Sequence, residues 1–228
     1  MNLLITSAAS PMAQTLAAAL RLDHHIRLTE QSHVDIEGEF VRCPLDHDFS
    51  TQLLVRGMDA IIHVAEPLAS STEQQQIDYL TRGTYNLLLA AAAEGVRRVV
   101  YLSTLELLGQ YDEDFVITER WRPHPTAAPG QLAKHLGEFV CREFAREQKL
   151  SVVVLRLGQV VRAEAVKGQP ANPTWVDEQD VVQAVSQALT VETRAWSVFH
   201  IVADSPQARF PISQARQILG YNPTISFE

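Results

Sequence analysis

Cysteine, basic charge and long apolar runs are all scarce in this chain, and each shortage removes a class of function. Only two of the 228 residues are cysteine. Cys43 and Cys141 lie far apart and match no metal or redox spacing, which excludes a disulfide scaffold and a zinc ribbon. Two isolated thiols fit a reducing compartment, so the expected location is cytoplasmic. Lysine and arginine number 19 against 27 acidic residues, a formal charge of -8. The basic pairs, such as Arg97-Arg98 and Arg120/Arg122, are isolated. No nucleic-acid partner is expected, because a phosphate backbone requires a clustered basic surface. No apolar stretch approaches the ~20 residues needed to span a bilayer, so no membrane partner is expected. The N-terminus lacks a basic n-region and its apolar run is broken by Thr6 and Ser7, unlike a signal peptide. The eight histidines form no HxxxH or HExxH pattern, so no metal site is expected. A GxSxG elbow and a phosphate-cradling Walker loop are absent too, which removes the common hydrolase and nucleotide-triphosphatase readings.

What is present is apolar residue, at 46%, enough for the core of one large domain. Short apolar runs fall at Leu3–Thr6, Ile26–Thr29, Phe40–Cys43, Ala60–Val64, Val99–Ser103, Val152–Leu157 and Val198–Val202. Several are continuous in Val, Ile and Leu, as strands buried on both faces of a parallel sheet read. Helical patterns separate them: Pro11–Leu22, Ser50–Arg56, Thr72–Glu94, Gln131–Glu147, Glu178–Leu189 and Ile212–Leu219. Repeated βαβ order predicts an α/β fold with a doubly wound, mostly parallel sheet. Ser10-Pro11 reads as an N-cap followed by proline at the first helical position. Gly95 and Gly220 read as helix stops, and Asp180 as the cap of a helix beginning near Val181. Loops are expected over 109–128, 166–174 and 203–211.

The opening MNLLITSAASPMAQTLAAALRL reads as strand, tight turn and helix, the start of a dinucleotide-binding βαβ unit. Three glycines normally serve that turn: one for the bend, one for close approach of the pyrophosphate, one for helix–strand packing. Here the positions hold Ser7, Ser10 and Ala13. Alanine at the third is a tolerated variant. Ser7 and Ser10 each add a Cβ and a hydroxyl where a phosphate would press, so crowding and weakened binding are expected. Against that, a serine donates hydrogen bonds to anions, and a helix N-terminus offers free N–H groups and the positive end of its dipole. Glu30 ends the second strand, where an acid takes ribose hydroxyls and disfavours a 2′-phosphate, so NAD is expected over NADP. The bland alternatives are a ligand-free strand–turn–helix and a surface glutamate.

Taken in order, several segments carry a resemblance: the opening strand and turn, Asp46 in VRCPLDHD, DAIIHVAEP at 59–67, GTYNLLLAAAAEGVRRVVYLST at 83–104, ITERWRP at 117–123, LAKHLGEF at 132–139, VVVLRLG at 152–158 and WVDEQDVVQAV at 175–185. Together with the closing ARQILGYNPTISF, the set resembles the extended short-chain dehydrogenase/reductases, or NAD-dependent epimerase/dehydratases, over nearly the whole chain. That resemblance implies a Rossmann fold with cofactor contacts at Ser7, Ser10, Pro11, Met12, Glu30, Val64 and Ala65. It also implies a catalytic Ser/Thr, Tyr and Lys. Thr104 matches the hydroxyl and Lys134 the lysine. The tyrosine position, four residues before Lys134, holds Gly130. Leu80 stands where many relatives carry asparagine. Glycine cannot transfer a proton, and removing a general acid/base costs ~10²–10⁴-fold. Tyr111, His124 and His135 are candidate substitutes. Lys134 reads alternatively as a solvated helix lysine paired with Glu138, its i+4 neighbour, and Thr104 as a strand-end hydroxyl bonded to backbone.

The resemblance further implies that a single domain over 1–228 carries a trimmed substrate cap at 159–178 and 203–228, with Trp175 and Arg162 lining what remains. Helices equivalent to 72–94 and 131–147 often pair across a homodimer in that family. The small residues at Ala90–Ala93 suit such pairing or packing on the sheet equally. Three functions stay open: a catalytically altered family member that keeps a weakened NAD or nucleotide pocket, an active NAD-dependent oxidoreductase or epimerase acting on a small sugar-like substrate with another proton donor, and a ligand-free scaffold or interaction subunit.

Overall fold

The computed structural model describes residues 1–170, 172–205 and 208–227. All seven predicted strands form: β1 (Asn2–Ile5), β2 (His25–Glu30), β3 (Glu39–Arg42), β4 (Ala60–His63), β5 (Arg98–Thr104), β6 (Ser151–Leu157) and β9 (Trp196–Ile201). They pair in the order β3-β2-β1-β4-β5-β6-β9, every pair parallel. The chain therefore winds outward from β1 in one direction, then returns to β4 and winds in the other. Such a reversal leaves a crevice beyond the carboxyl ends of β1 and β4, where ligands of open α/β sheets bind.

Helices cover both faces. Helix α1 (Pro11–Leu20) and α6 (Glu178–Thr190) bury Leu16, Val181 and Val185 against Leu3, Ile5 and Leu102. On the other face α2 (Phe49–Val55), α4 (Thr84–Ala93) and α5 (Pro129–Arg146) bury Leu54, Leu87 and Phe144 against Leu4, Ile61 and Tyr101. Strand residues of alternate parity thus feed two separate cores, which is why β1, β4, β5 and β6 read as unbroken apolar runs.

Much of the predicted punctuation is found. Ser10 accepts from the Ala13 amide ahead of Pro11, and Gly95 and Gly220 both take the left-handed backbone, with φ of +77°. Three features differ. The 72–94 pattern is broken: α3 (Glu73–Asp78), begun by a Thr72/Gln75 capping box, passes through a π-turn at Tyr79–Gly83 before α4. The last helical pattern is mostly a π-turn, Ala215–Leu219. Asp177, not Asp180, caps α6 by accepting from the Gln179 amide. Asp180 lies buried and accepts from the amides of Thr224 and Ile225, pinning the C-terminal segment. A two-stranded sheet of β7 (Gln159–Val161) and β8 (Trp175–Asp177) was not predicted. Three-residue strands carry no readable period. Gly158 is required at its start, because a Cβ there would overlap the Thr174 carbonyl.

Candidate functional site

A cavity of about 600 Å³ opens in the crevice at the sheet's reversal, within the ~300–1,000 Å³ range of small-molecule sites. Pro11 and Met12 of α1 form one wall, Val64 and Leu102 the floor, and Lys134 of α5 the far side. Ser103, Glu66, Arg162 and Glu178 supply its remaining polar groups.

The turn after β1 keeps the conformation that glycine would allow. Ser7 holds φ at +58°, a strain of ~1–2 kcal/mol for a residue with a Cβ. Its hydroxyl does not line the cavity. It is fully buried, hydrogen-bonds the Tyr79 hydroxyl at 3.0 Å and accepts from the Glu66 amide at 3.0 Å. The Ser10 hydroxyl is spent on the Ala13 amide at 3.1 Å. Both hydroxyls are bonded within the protein, and neither serine lines the cavity. Pro11 and Met12 do line it, at a helix end whose first N–H groups have no intrahelical acceptor.

Glu30 is not a surface side chain. It is 3% exposed and accepts from the Ala9 amide at 3.2 Å and the Gln31 amide at 2.8 Å, bracing the turn from the end of β2. Burial pushes its carboxyl up from the usual range, against the pull of those two amides. Val64 lines the cavity, whereas Ala65 is buried beside it with φ of +54°.

Lys134 is half-buried and is not paired with Glu138. Its Nζ donates to the carbonyls of Leu102 at 2.8 Å and Val64 at 3.1 Å, where β5 and β4 end. Burial depresses its ammonium to about 8, opposed by the charges of Glu66, Glu138 and Glu106. Glu138 instead makes a buried bidentate pair with Arg156 of β6, at 2.9 and 2.8 Å. The Lys134 backbone is placed by close packing of α5: a Cβ on Gly137 would collide with the Tyr101 hydroxyl and the Leu80 carbonyl. Leu80 is buried, and its carbonyl, within the π-turn, accepts from Thr84 Oγ1 at 2.9 Å. Thr84 in turn bonds His63 Nε2 at 2.9 Å, and His63 Nδ1 bonds Thr6 Oγ1 at 2.7 Å. This chain fixes a neutral imidazole under the cavity floor.

Of the two hydroxyls at the end of β5, Ser103 rather than Thr104 lines the cavity. Thr104 accepts from the Glu106 amide at 3.1 Å and caps the turn at Leu105–Leu108. Ser103 Oγ is buried without a hydrogen-bond partner. Strand alternation carried this signal: Tyr101 and Ser103 share the side of β5 that faces α5.

Gly130 lies exposed at the start of α5, with no atom within 4 Å of where a Cβ would stand. None of the candidate substitutes lines the cavity. Tyr111 donates to the Arg122 carbonyl at 2.9 Å and stacks edge-on against Trp121, while His124 lies against Tyr111. His135 faces a different cavity, beside Arg156. Arg162 lines the main cavity and pairs with Glu178 at 2.9 Å. Trp175 does not; its indole donates to Gln159 Oε1 and its ring packs on Phe227.

The model of the NAD dependent epimerase/dehydratase family matches residues 11–174. A uronate dehydrogenase of Pseudomonas putida is 25% identical over 100% of this chain and 85% of its own length. An L-arabinose 1-dehydrogenase (NAD(P)(+)) of Haloferax volcanii is 22% identical over 96% of this chain and 94% of its own. Among solved structures, a mutant uronate dehydrogenase of Agrobacterium tumefaciens complexed with NAD aligns with TM-score 0.85 at 22% identity, over 98% of this chain and 84% of that one. At that identity the structural likeness establishes the fold alone.

Proposed function

Because the chain belongs to the NAD dependent epimerase/dehydratase family, we propose that it binds NAD in the cavity between α1 and Lys134 and that this site lacks the tyrosine-based proton transfer of an ordinary member. The observation that supports the reading is the pairing of an open, built cavity with a bare Gly130: Lys134 lines the cavity, and among the described residues no phenol or imidazole does.

The residues present fit the cofactor. The α1 N-terminus with Pro11 and Met12 would face the pyrophosphate, and inward-turned Ser7 and Ser10 leave that approach clear. Val64, Leu102 and Leu157 offer an apolar floor for the nicotinamide end. Glu30, buried at the end of β2, disfavours a 2′-phosphate by charge, which supports NAD over NADP. NAD supplies a hydride acceptor when bound. The chain's own part is to hold Lys134 Nζ against two carbonyls, with Ser103 Oγ alongside in the cavity wall.

A second reading, an active dehydrogenase on a small sugar-like substrate, draws on one observation: the ammonium of Lys134, lowered to about 8, is itself matched to proton transfer near neutral pH. The named relatives oxidise sugars or sugar acids by their names, and Arg162, paired with Glu178, lines the cavity wall.

Thermal-shift and calorimetric titrations with NAD, NADH and NADPH test the proposal. NAD at 100 times its dissociation constant stabilises the fold by ~2.7 kcal/mol, and NADPH is expected to bind more weakly. No shift with any dinucleotide would refute it and leave the ligand-free scaffold. Fast hydride transfer from a uronate or aldose by the unmodified chain would establish the second reading instead.

A further inference from the structure

A second cavity, of about 190 Å³, lies behind α5 and shares no lining residue with the NAD cleft. It is bounded by α5, the β6–β9 edge of the sheet and the segment 119–123 that crosses that edge. Its volume is several times the ~30 Å³ share of one water and below the ~300 Å³ of a drug-sized pocket.

The lining is cationic in a chain whose formal charge is -8. Arg120, Arg122, Arg142 and Arg156 all contribute, against two carboxylates, Glu119 and Glu138. Both carboxylates are committed. Glu138 is neutralised by its bidentate pair with Arg156. Glu119 accepts from the His200 amide at 3.4 Å; burial raises its carboxyl, against the pull of that amide and of the Arg156 charge. The cations keep capacity to spare. Arg120 and Arg122 have no ion-pair partner among the described residues. Arg142 meets Glu143 only at 3.6 Å and lies over the Phe139 ring.

At the floor the polar groups are buried and unpartnered. The Arg156 side chain is 4% exposed, yet its Nη1 has no acceptor. His135 Nδ1, on the adjoining helix face, is likewise buried without a partner. A buried guanidinium N–H that bonds nothing forfeits the strongest class of hydrogen bond available to a protein. A planar or tetrahedral oxyanion reaching Arg156 Nη1, with the flexible Arg120 and Arg122 folding over it, would satisfy that donor and balance the excess charge.

We propose that this cavity is a binding site for a small oxyanion, the phosphate or carboxylate group of a metabolite, held by Arg156 and closed by Arg120 and Arg122. The site is independent of whether the cleft takes NAD.

Trp121 and Trp196 both line the cavity, so intrinsic fluorescence reports on it. The full-length chain is titrated with inorganic phosphate and, separately, with acetate, chloride being exchanged to hold ionic strength constant. Two or three charge-assisted hydrogen bonds correspond to a dissociation constant near ~1 mM. The expected result is a saturable change in one arm, with the tighter arm naming the group. The double variant Arg120→Gln/Arg122→Gln alters only exposed side chains and should weaken it at least tenfold; Arg142→Gln gives a second, independent loss. Absence of a saturable change with either anion would overturn the proposal. So would a change of equal affinity in the parent and in both variants, which would place the anion elsewhere.

Discussion

Restoring a phenol at position 130 is the sharpest perturbation the cleft allows. Gly130 sits one helical turn before Lys134 on α5, so a side chain there projects from the same helix face. It has a right-handed backbone and open space around the Cβ direction. Gly130→Tyr therefore requires no backbone movement, and exchanging glycine for tyrosine in a helix favours the fold by a few tenths of a kcal/mol. A positioned general acid/base contributes ~10²–10⁴-fold, about 3–5 kcal/mol of barrier. Lys134, whose ammonium already sits near 8, would hold the new phenol below its ordinary range by its charge. The assay is formation of reduced nicotinamide by the purified variant and the parent with NAD and a panel of uronates and aldoses, alongside melting temperature and NAD affinity for both. A rise of at least a hundredfold over the parent on one substrate is expected. A variant that folds, binds NAD as tightly as the parent and gains nothing would refute the idea that a phenol at position 130 is the group the site lacks for proton transfer.

Two further outcomes follow from buried polar groups. His63 and His200 are both fully buried; burial, then the charges of Lys134 and Arg156 respectively, holds each imidazole down at about 3. The unfolded chain takes up those protons near pH 6.5, the folded one does not, so stability falls as pH falls through that window. Between pH 7.5 and 5.5 each histidine removes ~1.4 kcal/mol, about 3 kcal/mol together, measurable by urea denaturation at the two pH values; an unchanged unfolding free energy would contradict the burial of both rings. Ser7→Gly relieves ~1 kcal/mol of left-handed strain but deletes two buried hydrogen bonds worth ~2 kcal/mol together. A net loss of about 1 kcal/mol by the same method, with NAD affinity unchanged within twofold, is expected, and a tenfold gain in affinity would show that the hydroxyl does crowd the cofactor.

The contrast between Ser7 and Ser10 as letters and as placed side chains shows where sequence reasoning reaches its limit. The missing glycines are legible, and so is the demand for a left-handed residue in the turn. Which way the Ser7 hydroxyl points depends on Tyr79, seventy-two residues away in the chain and on the opposite side of β1 from α1, whereas the Ser10 hydroxyl is taken locally by the Ala13 amide. The same limit applies to Lys134. The family resemblance marks it as a candidate site residue, but its carbonyl partners lie in β5 and just past β4, and Glu138 is taken by Arg156 of β6. Ser103 rather than Thr104 faces the cleft because β5 alternates and α5 packs on only one side, a matter of which face each helix covers. The buried Asp180 illustrates the converse error: a residue with the chemistry of a cap was claimed by a distant backbone segment.

Local chemistry determined the elements themselves. Unbroken Val-Ile-Leu runs force strands that need cover on both faces, and Ser-Pro and glycine punctuation sets where helices begin and end, so the doubly wound order could be read before any contact was known. Direction and partnership were decided only by the assembled fold. A hydroxyl, an ammonium or a carboxylate takes whichever donor or acceptor packing brings within three ångströms, and no periodicity along the chain encodes that choice.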